Sequence, residues 1–344
     1  MSEKRRREER RKGRWEGKRR STQSLYFTLL HSTSLYFTLL HSTQLNSTNS
    51  TQLNSTLLFC FCRLAFQEFF VIPTGASTFS EGLQIGTEVF HNLKNVIKEK
   101  FGGDATLIGD EGGFAPPCDV VSGLDMIMEA ADRAGHLKLI SVGLDVAASE
   151  FKVEGKNEYD LDFKAPSNKA NKDPSLLLTG DELIAFYKKL IDDYPIRTIE
   201  DPFDQDDWAN WSSLCSDVGA RCQIVGDDLT VTNPEKIKEA IRTNACNALL
   251  LKVNQIGTIS ESVDAVKMSK RSNWGIMTSH RSGETEDTYI ADLAVGLSTG
   301  QIKTGAPCRG ERTAKYNQLL RIEQELGGKA VYPGESFRTT SWMA

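Results

Sequence analysis

CQIVGDDLTVTNPEKIKEAIRTNACNALLLK, residues 222–252, reads as one complete strand–helix–strand unit. The apolar run Cys222–Asp228 ends on two acids. Thr232-Asn-Pro234 then places proline in a first helical turn behind an N-cap residue, where its missing N–H costs nothing. A second run, Ala248–Asn254, follows the helix and carries Lys252 near its end. Alternation of strand and helix means parallel strands joined by crossover helices.

The same unit recurs on both sides of this stretch. Leu137–Asp145, Tyr194–Asp201, Trp274–His280 and Gln301–Pro307 are further short apolar runs. Thr179-Gly-Asp-Glu182 opens another helix, with Leu183, Ile184, Phe186, Tyr187, Leu190 and Ile191 at helical spacing. The informative feature is what closes each run. Asp145, Glu200, Asp227, Lys252, His280 and Lys303 follow one another at intervals of 55, 27, 25, 28 and 23 residues. About 25 residues make one strand, loop and helix. The long first interval holds a polar insertion, Glu150–Ser175, together with one unit. In a (β/α)8 barrel the C-terminal strand ends face one site, so these six side chains are expected to converge.

Convergence constrains the chemistry. Three carboxylates brought together repel and cannot all stay ionised without a cation. An oxygen-only donor set suits Mg²⁺. Two lysines and a histidine beside it suit an anionic substrate. One lysine becomes a base if burial and neighbouring positive charge lower its pKa. Any one carboxylate is equally well read as part of a structural ion network. Six successive strand ends favour a site.

Residues 1–64 are of another kind. The first twenty hold eleven Lys/Arg and four Glu, a net +7 in a chain whose total is -5. SLYFTLLHST occurs at 24–33 and again at 34–43, and STQLNST at 42–48 and 50–56. Tandem repeats rich in Ser, Thr and Asn rarely build a core, so this segment is expected to be a disordered extension. The sequons at Asn46, Asn49 and Asn54 matter only in a secreted protein. The seven cysteines include no CxxC pair, which points to reduced thiols, a cytoplasmic setting and no zinc site. The four early glutamates weigh against an organelle leader. No apolar stretch approaches the ~20 residues of a membrane span.

Within 67–344 the chain resembles enolase (phosphopyruvate hydratase). The resemblance is carried by QEFFVIPTGASTF (67–79), GDEGGFAP (109–116), GLDVAASEF (143–151), TIEDPF (198–203), LLLKVNQIGT (249–258), SHRSGETEDTYIADLAVG (279–296) and GQIKTGAPCRGER (300–312), in order along the chain. It implies an α/β fold with an enolase-type (β/α)8 barrel over 65–344. It implies a magnesium-dependent lyase of glycolysis that dehydrates 2-phosphoglycerate to phosphoenolpyruvate. Asp145, Glu200 and Asp227 match the metal ligands. Lys252 matches the base and Glu111 the acid, with Glu68 beside it. Lys303 matches the cation that holds the substrate carboxylate. His280, Arg281 and Ser282 match the phosphate and hydroxyl contacts, with Ser279 and Gln67 as neighbours.

The chain also departs from the family pattern. Motifs of the N-terminal capping domain are absent, including the loops that complete a second Mg²⁺ site and touch the phosphate. The barrel is therefore expected to lack its first strand, with Thr56–Phe66 a poor substitute. The second of two Mg²⁺ ions is expected to bind poorly, the homodimer contacts to be lost, and turnover to be absent or very weak. Two other readings stand beside the enzyme. One is a non-catalytic enolase-like protein whose basic arm touches nucleic acid, and the other is an inactive remnant.

Overall fold

The computed structural model describes residues 33–41, 64–164 and 172–339. The basic run and most of the repeat segment, for which disorder is expected, lie outside these residues. Eight strands close into a barrel in the order β1-β10-β9-β8-β7-β6-β3-β2. They are β1 (Thr33–His41), β2 (Glu68–Ile72), β3 (Ser141–Asp145), β6 (Ile196–Glu200), β7 (Gln223–Gly226), β8 (Ala248–Leu251), β9 (Gly275–Ser279) and β10 (Gly300–Lys303). The short β4 (Glu158–Asp160) and β5 (Leu177–Thr179) pair apart from the barrel, inside the polar insertion. Helices α1 (Phe79–Phe101), α2 (Val120–Arg133), α3 (Gly180–Asp193), α4 (Trp208–Val218), α5 (Pro234–Thr243), α6 (Val253–Ile256), α7 (Ile259–Arg271), α8 (Tyr289–Gly296) and α9 (Gly310–Leu326) complete the order. No helix among the described residues is long and apolar enough to cross a membrane.

Two expectations are corrected here. Among the described residues the barrel does not lack a strand, and most of Thr56–Phe66 lies outside them. The second copy of the repeat forms β1, parallel to β10 and antiparallel to β2. The run TSLYFTLLH contains threonine, tyrosine and phenylalanine, residue types that favour strands. The barrel is also not wholly parallel, because β2 runs antiparallel to both its neighbours. That reversal matters for the site. Glu68 opens β2 and pairs in register with Asp145, which closes β3. A strand run backwards thus delivers its first residue to the same mouth as the others' last.

Residue parity explains which side chains reach the lumen. Successive side chains on a strand point to opposite faces. Phe70, Ile72, Val225, Ala248, Leu250 and Met277 pack with Phe337 as one cluster. Phe69, Val71, Val142, Leu144, Ile199, Ile224, Leu249, Leu251, Ile276 and Ile302 pack into the other, with the helices. Glu68, Asp145, Glu200, Asp227, Lys252, Ser279 and Lys303 all share the lumen parity of their strands. Both faces are buried, which is why the runs read as nearly continuous apolar sequence.

Helix starts follow the sequence signals. Thr179 and Glu182 form a reciprocal capping box at α3, and Asn233 caps α5 with Pro234 behind it. Gly143 is required by packing rather than by dihedral angle. A Cβ there would lie 2.5 Å from both Phe70 Cδ2 and Thr198 Cγ2. Gly143→Ala is therefore expected to cost about 1–3 kcal/mol of stability by overpacking, measured as a fall in the urea midpoint without a change in slope.

Candidate active site

The lumen-parity residues open into a cleft of about 250 Å³ at one mouth of the barrel. Gln67, Glu68, Glu111, Asp145, Asp227, Lys252, Ser279, His280, Arg281, Ser282 and Lys303 line it, so all but one of the residues singled out from sequence meet there. The exception, Glu200, is fully buried beneath the floor, where it reaches Lys303. A wider hollow of about 440 Å³ lies on α3. It is ringed by surface Lys and Asp residues and brings none of these groups together.

Lys303 is the hub. Its Nζ lies 2.6 Å from Asp145 Oδ2, 3.0 Å from Glu200 Oε1 and 3.1 Å from Glu68 Oε2, with the Phe70 ring centroid 4.9 Å away. Burial alone would lower its pKa. The charges of Asp145, Glu200, Glu68 and Glu111 outweigh that and hold it well above the usual lysine value. Glu200 moves the other way from an ordinary carboxylate. Burial, and then repulsion from Asp145, push it well above its usual range despite Lys303. Glu200 Oε2 is buried with no hydrogen-bond partner among the described residues.

Lys252 follows β8 and pairs with Asp227 at 2.5 Å, while Gln255 Nε2 donates to the other oxygen of Asp227 at 2.8 Å. From the sequence, one lysine is a base only if burial and positive neighbours lower its pKa. Burial and Lys303 do lower it, but the Asp227 charge outweighs them and the pKa is raised. Lys252 is thus held protonated by its carboxylate partner.

Glu111 occupies the loop after α1. Ser282 Oγ donates to its Oε1 at 2.8 Å, and His280 Nε2 lies 2.8 Å from its Oε2. The second contact has hydrogen-bond distance but a bent angle, as site contacts often do without substrate. Burial pushes the Glu111 carboxyl up. His280, a hydrogen bond with Glu68 and the Lys303 charge outweigh burial and hold it well below the ordinary range.

Several mouth loops hold non-glycine residues at positive φ: Ala147 (47°), Asp201 (43°), Val231 (42°) and Thr232 (55°). A β-branched residue there is strained, and such strain persists only where the surroundings impose it. Thr232 shows the imposition, because its hydroxyl accepts the Lys252 amide at 3.0 Å and so ties two mouth loops together.

Six carboxylates and three permanent cations line the cleft. Asp201, Asp227 and Asp228 have oxygens within 4.8 Å of one another, while Asp145 and Glu200 are drawn to Lys303 instead. Asp201 accepts the amides of Asp227 and Asp228 at 2.9 and 3.0 Å, which fixes the turn after β7. The donor set is all oxygen, is in excess over its counter-charges, and includes the unpartnered Glu200 Oε2. It fits a hard divalent cation such as Mg²⁺.

The family model of the enolase C-terminal TIM barrel domain matches residues 59–341. The chain belongs to the enolase family. It is 59% identical over 277 residues to the protein named enolase from Solanum lycopersicum, covering 80% of this chain and 61% of that one. It is 59% identical over 278 residues to enolase 2 of Hevea brasiliensis, with the same shares. The chain spans about three fifths of the length of these enolases.

Sequence reasoning missed Asp201, Asp228, Gln255 and Arg312. Asp201 and Asp228 directly follow Glu200 and Asp227, so doubled acids at a strand end were the available signal. Gln255 and Arg312 sit on helices, where a strand-end rule does not look.

Proposed function

We propose that this barrel carries the magnesium-binding and proton-transfer half of an enolase site, for dehydration of 2-phosphoglycerate to phosphoenolpyruvate. The observation that carries the reading is the convergence of Lys252, Glu111 and the carboxylate-rich floor on one cleft. Asp145, Glu200 and Asp227 would hold Mg²⁺. When bound, the ion supplies positive charge against the carbanion that forms next to a carboxylate, a pairing the enolase superfamily itself exemplifies.

The remaining work falls to the chain. Lys252 takes the proton from the carbon beside the substrate carboxylate. It acts as a base once the Asp227 charge is engaged elsewhere. Glu111, steadied by Ser282 and His280 and next to Glu68, is ionised without substrate and passes on the proton that goes to the departing hydroxide once the substrate's negative charge raises its pKa. Lys303 faces the substrate carboxylate. Arg281 and Ser282 supply donors for the phosphate, His280 stands beside the departing hydroxyl, and Ser279 and Gln67 shape the wall. The setting is cytoplasmic and the partner is a small phosphorylated acid.

Thermal unfolding tests the reading. Mg²⁺ at about 100 times its Kd is expected to add about 2.7 kcal/mol, with a further shift on adding 2-phosphoglycerate, and Asp227→Asn is expected to remove the Mg²⁺ shift. The pH dependence has a definite sign. Glu200 and Asp201 have folded pKa values raised well above 4.5 and 3.8. The metal-free fold therefore binds protons that the unfolded chain has released. These groups cost stability as pH rises from those unfolded values through the folded ones. Mg²⁺ binds the ionised forms, so its stabilisation is expected to be larger at about pH 8 than at about pH 5.5. A barrel whose melting responds to neither Mg²⁺ nor 2-phosphoglycerate would overturn the reading.

A further inference from the structure

We propose that Arg312 is a positioning residue that fixes the His280 ring with Nδ1 bare and Nε2 protonated, so that His280 presents an N–H to Glu111. The inference deepens the enolase reading, in which Glu111 is the acid, and it rests on that reading for its catalytic meaning alone.

Helix α9 carries two buried cations near its start, Arg312 and Lys315, each 1% exposed. Arg312 uses four of its five N–H donors. One amino group reaches His280 Nδ1 at 2.6 Å and the Arg281 carbonyl at 2.8 Å. The other reaches the carbonyls of Asp110 at 3.0 Å and Ser282 at 2.6 Å. A guanidinium can only donate and stays charged at every ordinary pH. The nitrogen facing it must therefore offer a lone pair. An imidazolium would set N–H against N–H and charge against like charge. The ring proton is left on Nε2, the atom 2.8 Å from Glu111 Oε2.

The same guanidinium joins the two loops that meet at Glu111. Through Asp110 it holds the GDEGG loop, and through Arg281 and Ser282 it holds the SHRS loop. Gly305 makes room for it, since a Cβ there would come within 2.7 Å of Arg312 Cδ. The chemical gain is specific. A neutral N–H steadies Glu111 without the full charge of an imidazolium, which would make a proton on that carboxyl harder to hold. Lys315 supplies an internal comparison. It bonds the Thr285 and Glu311 carbonyls and faces Glu284 at 3.5 Å, so it grips the same loop farther along.

The test is ring ¹H–¹⁵N correlation spectroscopy of the full chain labelled at histidine, with no substrate present. Signals of His280 are assigned by their loss in His280→Gln. The wild type is expected to show only the Nε2–H tautomer for His280 at neutral pH. Arg312→Lys is expected to lose that single-tautomer pattern, and Lys315→Met to keep it, although both variants melt lower. A wild-type ring protonated on Nδ1 overturns the proposal, and so does an Arg312→Lys ring that stays purely Nε2–H. Should Arg312→Lys not fold, the wild-type spectrum still decides. A barrel that binds no 2-phosphoglycerate would instead overturn the role of Glu111 and leave the tautomer result intact.

Discussion

Lys303→Met is expected to destabilise the metal-free barrel by about 3–5 kcal/mol at neutral pH, the usual cost of breaking a buried ion pair from one side. Methionine matches the length and much of the volume of lysine, so little of the loss comes from packing. The cost is electrostatic. Asp145, Glu200 and Glu68 lie within 3.1 Å of the Lys303 ammonium, and all are buried. Without it, three carboxylates face one another in a low dielectric. The sign of the pH dependence follows. The raised Lys303 pKa means its contribution is fully present below the ordinary lysine value and is lost only as pH rises through the higher folded one. At neutral pH the whole contribution is therefore at stake. In the variant, protonating the carboxylates relieves the repulsion, so the penalty is expected to shrink toward about pH 5. Mg²⁺ is expected to restore part of the loss, since it supplies charge to the same oxygens. Urea midpoints across pH, with and without Mg²⁺, measure all three effects. A pH-independent loss would mean that Lys303 matters through packing instead.

That hub also shows what a sequence can and cannot disclose. The positions of Asp145, Glu200, Asp227, Lys252 and Lys303 followed from period and spacing, because strand ends in a barrel share one face. Their pairing did not. Lys303 and Asp145 stand 158 residues apart and meet only because β10 and β3 are placed across the lumen. The state of Lys252 stays open in the sequence, since spacing shows how close two lysines come but not which carboxylate reaches one of them first. The antiparallel β2 was equally hidden. A five-residue apolar run has no direction in its composition, and only the register of Glu68 against Asp145 reveals it. β1 was missed for a different reason. Repetition and polar flanks made 33–41 read as low complexity, although its Thr, Tyr and Phe suit a strand, and the ladder edges of β2 and β10 decided the matter.

Phe66→Ala is expected to lower stability by about 3–5 kcal/mol, as for other buried phenylalanines truncated to alanine. For a chain of this size that is a fall in Tm on the order of 10 °C. Phe66 is fully buried, and its ring centroid lies 5.9 Å from Tyr187, 6.2 Å from Phe186, 6.4 Å from Phe69 and 6.5 Å from Phe151. It therefore ties the entry of β2 to helix α3 and to the loop after β3. Leu64 and Ala65 are buried beside it, and the Leu64 carbonyl accepts from Lys164 Nζ at 2.8 Å. Barrel packing is thus already established by Leu64, eight residues after the last repeat ends at Thr56. Phe66→Leu keeps most of the volume and is expected to cost under about 1.5 kcal/mol. The alanine variant carries a second consequence. Glu68 lies two residues on, so loosening Phe66 frees a carboxylate that Lys303 holds at 3.1 Å. The Mg²⁺-induced rise in Tm is therefore expected to diminish in Phe66→Ala and to persist in Phe66→Leu. Equal and small losses in the two variants would show that this anchor does not place Glu68, and that the mouth is held from β3 and β10 alone.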